Sequence, residues 1–236
     1  MNFEDYKYRI ELHSHTSPAT DSAKISPEWL IKRYKELGYY SIFLTNKISY
    51  ERVQYRGRNR TFEKFVTDYN EAKAIGDEIG INVLMGMEVT VAESERDFLV
   101  YGVELSTVNT ALDNINGTMR ELHAKIAGES TVILQAHPFR PGETRADLDD
   151  IDGIEVFNMR LEKNSKVGLT AQYAYENGAK IIVCGSDAHS EEDHGTVAML
   201  SKTLPKDSYE LARIIHSNDY LFEVEGNIII PYTYGR

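Results

Sequence analysis

The chain has 236 residues, a formal net charge of −11 and a sequence pI of about 5.1, which argues against a protein that coats nucleic acid or an anionic membrane. Its single cysteine, Cys184, excludes an internal disulfide and an all-thiolate metal site, and favours a reducing compartment. The charged N-terminal segment MNFEDYKYRI and the lack of a membrane-length apolar run predict a cytoplasmic protein, and the length predicts one domain over residues 1–236.

Apolar, β-branched segments alternate with amphipathic helical segments over most of the chain, as in βα units around a parallel sheet. Ser26 as N-cap, Pro27 at the first helical position and Gly38 after the last turn mark the first helix. Later helices are predicted within 61–80, 164–178 and 208–217. Strands are predicted at 8–12, 40–45, 82–89, 98–103, 131–136, 153–158 and 180–185. The pattern indicates the α/β class with seven strands.

One segment in this order is predicted to lack regular structure. Residues 46–60, NKISYERVQYRGRNR, carry four arginines and two tyrosines among polar side chains. Long polar loops of this kind often cover active sites. We therefore expect 46–60 to be a loop near the functional site.

The first predicted strand ends on HSHT at positions 13–16. Side chains two residues apart in a strand point to the same side, so His13 and His15 can direct both imidazoles at one point. The strands that end on GMEV, LQAHP and CGSDAH bring further metal-binding residue types to the same edge of a sheet. The full set is His13, His15, Glu88, His137, Asp187 and His189.

Each of these residues also has an ordinary structural explanation. His137 could bond to backbone, Glu88 could pair with an arginine, and Asp187 could cap a turn. Independent accidents, however, would have to bring all of them to the same end of successive strands, so the sequence favours a metal site. The mixed nitrogen and oxygen ligands suit Zn²⁺, Mn²⁺ or Fe²⁺, and Glu88 could bridge two ions.

HSHT, GMEV, AHPFRP and GSDAH, in that order, make the sequence similar to the PHP (polymerase and histidinol phosphatase) family of metal-dependent phosphoesterases, over nearly the whole chain. The resemblance implies a distorted seven-stranded β/α barrel with its metal site at the C-terminal ends of the strands. It assigns metal binding to the six residues of these motifs given above. Asp21 is a further ligand candidate from the resemblance, and it could equally cap the turn in TDSA.

Two positions depart from the family pattern. Members commonly carry a D-H or N-H pair after the second strand, where this sequence reads Thr45-Asn46-Lys47, so a lysine replaces a histidine ligand. An ammonium at Lys47 could stand where a metal would otherwise sit, and we expect two ions rather than three. Many members also have a histidine near the fourth strand. Here Asp97 either replaces it as a ligand or simply begins the strand.

Ions at such a site lower the pKa of bound water, so a metal-bound hydroxide is the predicted nucleophile for hydrolysis of a small phosphorylated metabolite or nucleotide. Arg140 is predicted to bind phosphate through paired hydrogen bonds, with a structural carboxylate pair as the alternative. Asn158 and Arg160 are predicted substrate contacts, and Lys47 is predicted to contact phosphate as a point charge. His189 either binds an ion or serves as a general acid toward the leaving group.

Two other functions stay open from the sequence. A metal hydroxide can also cleave amides, as in amidohydrolases, and a degenerate family member could bind a phosphorylated ligand without turnover. His194, close after GSDAH, is either a substrate contact or an exposed loop residue.

Overall fold

The computed structural model describes residues 2–93, 95–193 and 195–235. Its strands are β1 (Tyr8–Ser14), β2 (Ser41–Leu44), β3 (Lys47–Ser49), β4 (Asn82–Met85), β5 (Met87–Thr90), β6 (Phe98–Tyr101), β7 (Val132–Gln135), β8 (Gly153–Asn158), β9 (Ile181–Gly185), β10 (Val197–Ser201), β11 (Tyr220–Val224) and β12 (Asn227–Ile229). Its helices are α1 (Pro27–Glu36), α2 (Tyr50–Arg56), α3 (Arg58–Ile79), α4 (Leu105–Asp113), α5 (Met119–Ile126), α6 (Val167–Glu176) and α7 (Ser208–Ser217).

The strands form two mixed sheets of six. The first has the order β12-β11-β10-β1-β2-β4, and β1, β2 and β4 run parallel. The second has the order β3-β5-β6-β7-β8-β9, with parallel pairs on both sides of the antiparallel β6. A parallel bridge between Ser14 and Ala188 joins the end of β1 to the segment after β9. The two sheets therefore meet along a seam at these two strand ends.

The α/β class is confirmed, and each of the seven predicted strands contains observed strand residues. The closed seven-stranded barrel stays a prediction, because the ladders form two sheets. The predicted strand 82–89 divides at Gly86 into β4 and β5, which belong to different sheets. A Cβ at Gly86 would lie only 2.8 Å from Cγ2 of Thr45, so a glycine lets the chain cross between sheets here.

The prediction of a long loop at 46–60 is wrong. This segment contains β3, all of α2 and the start of α3. The Ser49 hydroxyl caps α2 by accepting from the backbone N–H of Arg52 at 3.3 Å, and Gly57, with φ of 84°, lets the chain turn into α3. The segment is polar because α2 buries none of its residues completely, not because it lacks regular structure. The sequence analysis also missed α4, α5 and β10 to β12.

Helices α1 and α3 pack on the first sheet and help to position the metal-ligand segment that follows β1. The α1 helix begins as predicted, since the Ser26 hydroxyl accepts from the backbone N–H of Trp29 at 3.1 Å. In α3, the buried Asp68 accepts from the Thr16 hydroxyl and from the backbone N–H of Ala19, both at 2.9 Å. These bonds tie the chain after HSHT to a helix, which limits its movement.

In the part of the chain that the structure describes, no helix combines the length and the apolar character needed to cross a bilayer.

Candidate metal centre

The predicted ligand residues converge on the seam between the sheets. His13 lies in β1 and Glu88 in β5, His137 follows β7, and Asp187 and His189 follow β9. All five side chains are buried. Backbone bonds join the two sides, since Asp187 N–H donates to His13 O at 2.8 Å and His15 N–H donates to Ala188 O at 3.0 Å. The clustering predicted from the strand ends is therefore observed in three dimensions.

One set of ligand atoms has the spacing of a coordination sphere. The Nε2 atoms of His13 and His15 lie 3.0 Å apart, and each lies 3.4 Å from Oδ1 of Asp187. Glu88 adds Oε1 at 3.4 Å from His13 and Oε2 at 3.6 Å from His15. Four ligands placed about 2.1 Å from a tetrahedral ion are about 3.4 Å from one another. The Nε2 atoms of His13 and His15 and Oδ1 of Asp187 thus have the spacing of ligands to one ion, and Glu88 lies beside both imidazoles.

A second set meets at Glu88. Its Oε1 lies 3.4 Å from Nε2 of His137, and neither atom has a hydrogen-bond partner among the described residues. Buried polar atoms without partners are costly, so an ion that both atoms could bind is the natural partner. A third set joins His15, Asp187 and His189. Nδ1 of His189 donates to the backbone O of Asp187 at 2.9 Å, which leaves Nε2 as the metal-binding nitrogen.

Two of these ligands have strained backbones. His137 has φ of 30° and Asp187 has φ of 55°, in the left-handed region that residues other than glycine rarely adopt. Such conformations cost about 1–3 kcal/mol each and cluster at functional sites. Close backbone approach is also required at Gly185, where a Cβ would lie 2.3 Å from Cβ of His13. The fold thus contains backbone strain at the positions that hold these candidate ligand side chains in place.

Lys47 and Asp97 complete the site on the β3 side. Lys47 lies opposite Glu88 in the β3–β5 pair, and its Nζ lies 3.3 Å from Oε2 of Glu88 and 2.5 Å from Oδ2 of Asp97. Burial lowers the pKa of Lys47, but these two carboxylates outweigh burial and raise it above its ordinary value. The other oxygen of Asp97 accepts a hydrogen bond from the Thr90 hydroxyl. Lys47 is therefore a fixed cation among the candidate ligands.

Three buried or partly buried glutamates that the sequence analysis missed support the histidines. Glu155 Oε1 lies 2.8 Å from Nδ1 of His13, while its Oε2 accepts from the backbone N–H of His137 at 3.1 Å. Glu143 Oε1 lies 2.6 Å from Nδ1 of His137. Glu11 accepts from the backbone N–H of His13 at 2.9 Å. Carboxylates behind metal-bound histidines fix the ring orientation and leave Nε2 facing the ion.

The charges of this cluster are strongly coupled. Burial lowers the pKa of His13, but the carboxylates of Glu155 and Asp187 outweigh it and raise that pKa well above its usual range. Burial and the neighbouring His189 hold the pKa of His15 well below its usual range. Burial opposes ionisation of Asp187, yet the surrounding cations and hydrogen bonds, His13 first, hold its pKa well below the ordinary value. These directions keep His15 neutral and Asp187 ionised, as metal ligands must be, whereas an ion that binds Nε2 of His13 would have to displace a proton from that imidazole.

The predicted substrate residues have different positions. Nη2 of Arg140 lies 2.5 Å from Oδ2 of Asp187 and 3.1 Å from Oδ1 of Asn158, so it pairs with a candidate ligand directly. Arg160 donates to Glu162 at 2.6 Å. Both arginines thus have carboxylate partners, whatever they contact in a substrate. His194 lies outside the described residues.

Asp21 is not brought into the ligand groups of the described residues. Its carboxylate is half exposed and pairs with Arg52 at 3.2 Å and Arg56 at 2.7 Å. These arginines belong to α2, so the two ion pairs of Asp21 hold that helix beside the site. The metal-binding role predicted for Asp21 has no support from this geometry.

Two cavities open beside the cluster. One, of about 470 Å³, contains Lys47 and Asp97 on its wall and Arg52 and Tyr55 of α2 at its rim. The other, of about 320 Å³, is lined by His189 and Arg160 together with polar and charged side chains. Both are small and polar, so the site suits a small polar molecule rather than a bulky apolar one.

The sequence matches the PHP domain family over residues 11–227. A search of curated protein sequences finds no match. Among solved structures, the chain is similar to a two-domain protein from Bacteroides vulgatus that contains a predicted PHP-like metal-dependent phosphoesterase, with 15% identity and a TM-score of 0.62. That match covers 91% of this chain and 64% of the other, so this chain spans less than two thirds of that protein.

Two further solved structures are similar. PsfC from Pseudomonas syringae is 21% identical, with a TM-score of 0.56 and coverage of 81% of this chain and 80% of that one. An amidohydrolase from Chromobacterium violaceum, with bound sulfate and no metal, is 16% identical, with a TM-score of 0.53 and coverage of 79% and 89%. At these identities the similarity shows the fold alone.

Proposed function

Because the chain belongs to the PHP domain family, we propose that it is a metal-dependent phosphoesterase acting on small soluble phosphate esters. The family resemblance seen in the four sequence motifs is confirmed by that match. The observation that carries the proposal is the buried cluster itself, in which Glu88 Oε1 and His137 Nε2 lie 3.4 Å apart with no hydrogen-bond partner in the described part of the chain. The donor set of imidazoles and carboxylates fits Zn²⁺, Mn²⁺ or Fe²⁺.

Bound divalent ions would supply a hydroxide nucleophile near neutral pH and would offset negative charge on the phosphoryl oxygens. His13, His15, Glu88, His137 and Asp187 would hold them. Glu155 and Glu143 lie against Nδ1 of His13 and His137, so the Nε2 of each imidazole faces the cluster and little reorganisation is needed when ions and substrate bind. This arrangement supports hydrolysis of a phosphate ester whose transition state develops negative charge at the seam.

His189 and Arg140 complete the proposed chemistry. Because Nδ1 of His189 donates to a backbone carbonyl, its Nε2 is the nitrogen that faces the cavity, where it binds an ion when neutral or protonates the leaving oxygen when charged. Arg140 pairs with Asp187 at 2.5 Å, and in this proposal a further guanidinium N–H donates to a phosphoryl oxygen. Asn158 supports this pair, since it accepts from Arg140 at 3.1 Å and donates to Asp187 at 3.2 Å.

The direct test is hydrolysis of a generic aryl phosphate by protein reconstituted separately with Zn²⁺, Mn²⁺ and Fe²⁺. We expect turnover that requires metal and is inhibited by inorganic phosphate. Cleavage of amides without cleavage of phosphate esters would favour the amidohydrolase alternative, to which the similar fold of the Chromobacterium violaceum protein gives some weight. Absence of bound metal after purification without chelator would favour the non-catalytic alternative.

Replacing Arg140 with lysine is expected to retain metal but weaken use of the aryl phosphate by about 10-fold to 100-fold in kcat/KM. A lysine can still pair with Asp187, but it loses the planar fork that binds phosphate through two bonds. Parallel metal analysis and steady-state kinetics separate the two effects. Arg145→Lys, at an exposed neighbouring arginine, serves as the control. Wild-type kinetics in Arg140→Lys would leave Arg140 with a structural role only.

A further inference from the structure

We propose that the ammonium of Lys47 permanently replaces a metal ion between Glu88 and Asp97, so that the enzyme works with two divalent ions and not three. The inference rests on the proposed function. It adds the number of bound ions, the place where Lys47 stands instead of an ion, and the role of Asp97. Glu88, Asp97 and His137 form one of the four groups whose ligand atoms lie within 4.8 Å of one another. Lys47 Nζ contacts both carboxylates of that group.

The position of Lys47 is fixed by the fold. It begins β3, directly opposite Glu88 in the parallel pair with β5, and its side chain is only 20% exposed. Nζ lies 2.5 Å from Oδ2 of Asp97 and 3.3 Å from Oε2 of Glu88. An ion held by Oδ2 of Asp97 and Oε2 of Glu88 would occupy the same point, whereas Oε1 of Glu88 lies 3.4 Å from Nε2 of His137 and stays available to another ion. An ammonium at that distance excludes a second cation from the same point by overlap and by repulsion.

This arrangement differs from an ordinary salt bridge on the surface. Surface pairs hold two exposed side chains at little net gain, whereas here both carboxylates are buried and both belong to a candidate ligand group. Removing Lys47 would leave two negative charges together in a poorly solvated site, and a divalent ion is the available replacement. Asp97 is therefore the partner of Lys47 and not a metal ligand.

Charge balance favours two ions. Among the described residues, five carboxylates have oxygens within 4 Å of a cationic or imidazole nitrogen of the cluster: Glu88, Asp97, Glu143, Glu155 and Asp187. Lys47 and Arg140 are the two fixed cations, which leaves a net charge of −3 when the histidines are neutral. Two divalent ions change this to +1, which suits an anionic phosphate ester. A third ion would raise it to +3 in a buried site.

Lys47 also contributes to the wall of the 470 Å³ cavity. In this proposal a fixed positive charge therefore lies beside that cavity, while the same ammonium balances the carboxylates of Glu88 and Asp97. An ion in the same place would bind water and could exchange with solvent. The lysine supplies a positive charge that does not depend on metal supply.

The test is the number of ions per chain, measured by elemental analysis after loading with Mn²⁺ or Zn²⁺ and removal of excess metal. Wild type is expected to hold two ions, and Lys47→Met is expected to hold one more than wild type. Lys47→Arg keeps the charge and should show no gain. Lys35→Met, at a surface lysine that donates to the backbone O of Gly80, is the matched control and should also stay at the wild-type number. Thermal unfolding of each variant checks that it is folded.

Asp97→Asn in the wild-type background gives a second test that does not depend on the folding of Lys47→Met. If Asp97 only pairs with Lys47, the number of ions is unchanged. A loss of one ion would identify Asp97 as a ligand and overturn the proposal. Adding Asp97→Asn to Lys47→Met should remove the gained ion, because the new site then lacks a carboxylate.

Three ions in the wild type, or no gain in Lys47→Met, would also overturn the proposal while leaving a metal-dependent phosphoesterase intact. No ions in the wild type, together with no turnover, would overturn the proposed function itself. The two failures are therefore distinguishable from the same measurements.

Discussion

Asp187→Ala is expected to remove bound metal and to lower turnover of an aryl phosphate by at least about 1,000-fold. Asp187 Oδ1 lies 3.4 Å from the Nε2 atoms of both His13 and His15, so one truncation takes a shared ligand from two groups. An ion contributes several kcal/mol of transition-state stabilisation, and about 4 kcal/mol corresponds to a factor of 1,000. His13→Ala should have the same effect, since it removes another shared ligand.

Metal content and steady-state turnover, measured on the same preparations, check this expectation. Asp149→Ala, at an exposed aspartate, is the control and should keep the wild-type metal content and the wild-type turnover. Far-ultraviolet circular dichroism should show a folded Asp187→Ala protein. A lower melting temperature is expected because bound metal stabilises the native state. Unchanged metal content in both Asp187→Ala and His13→Ala would contradict the assignment of the site.

Glu155→Ala is expected to lower the free energy of unfolding of the metal-free protein by about 3–5 kcal/mol, the usual cost of breaking a buried ion pair. Its carboxylate is fully buried, pairs with His13 at 2.8 Å and accepts from the backbone N–H of His137. The same change should weaken metal binding by about 10-fold to 100-fold, as is common when a carboxylate behind a metal-bound histidine is removed.

Urea unfolding without metal and competition with a metal-binding dye give the two quantities. Glu155→Gln keeps the shape of the side chain and one hydrogen-bond acceptor. It should therefore lose less unfolding free energy and less metal affinity than Glu155→Ala does. Glu129→Ala, at an exposed glutamate, tests for a general effect of removing a charge. If Glu155→Ala binds metal as tightly as wild type, Glu155 does not position His13.

The clustering of the candidate ligand residues could be predicted because local rules govern most of them. Alternation along a strand directs His13 and His15 to one side, and His137 and Asp187 follow strands that end in the same region, whereas Glu88 lies at the second position of β5. The family motifs indicate the same residues. No structural information was needed to find this part of the site.

The supporting glutamates could not be predicted from spacing. Glu155 is 142 residues from His13 in sequence, and the contact between their side chains exists only because the two sheets meet at the seam. A weak signal was available, because Glu11 and Glu155 are carboxylates within segments that are predicted to be strands, and both positions are buried. A buried carboxylate needs a partner, and here the partners are the ligand segments.

The error at 46–60 has a physical cause as well. A polar composition is typical of a loop, but α2 is a short helix that keeps polar side chains toward solvent and toward Asp21. The sequence predicts that Lys47 departs from the family pattern, but the two carboxylate partners of Lys47 depend on the pairing of β3 with β5 and could not be predicted.

The seam between the two sheets has a consequence for the unfolding of the protein. His13 lies in the first sheet and His15 directly follows it, whereas Glu88 lies in the second sheet and His137 follows one of its strands. One parallel bridge and a few backbone bonds join β1, an interior strand, to the segment after β9, and side chains of both sheets share one core. Ions bound here would cross-link the sheets, so metal would raise the barrier to their separation more than it would affect motions within either sheet. Removing the ions with a chelator would then remove the cross-link between the sheets. Amide hydrogen exchange would accelerate first at β1 and β9, and proteolysis would begin at the segments that join the sheets.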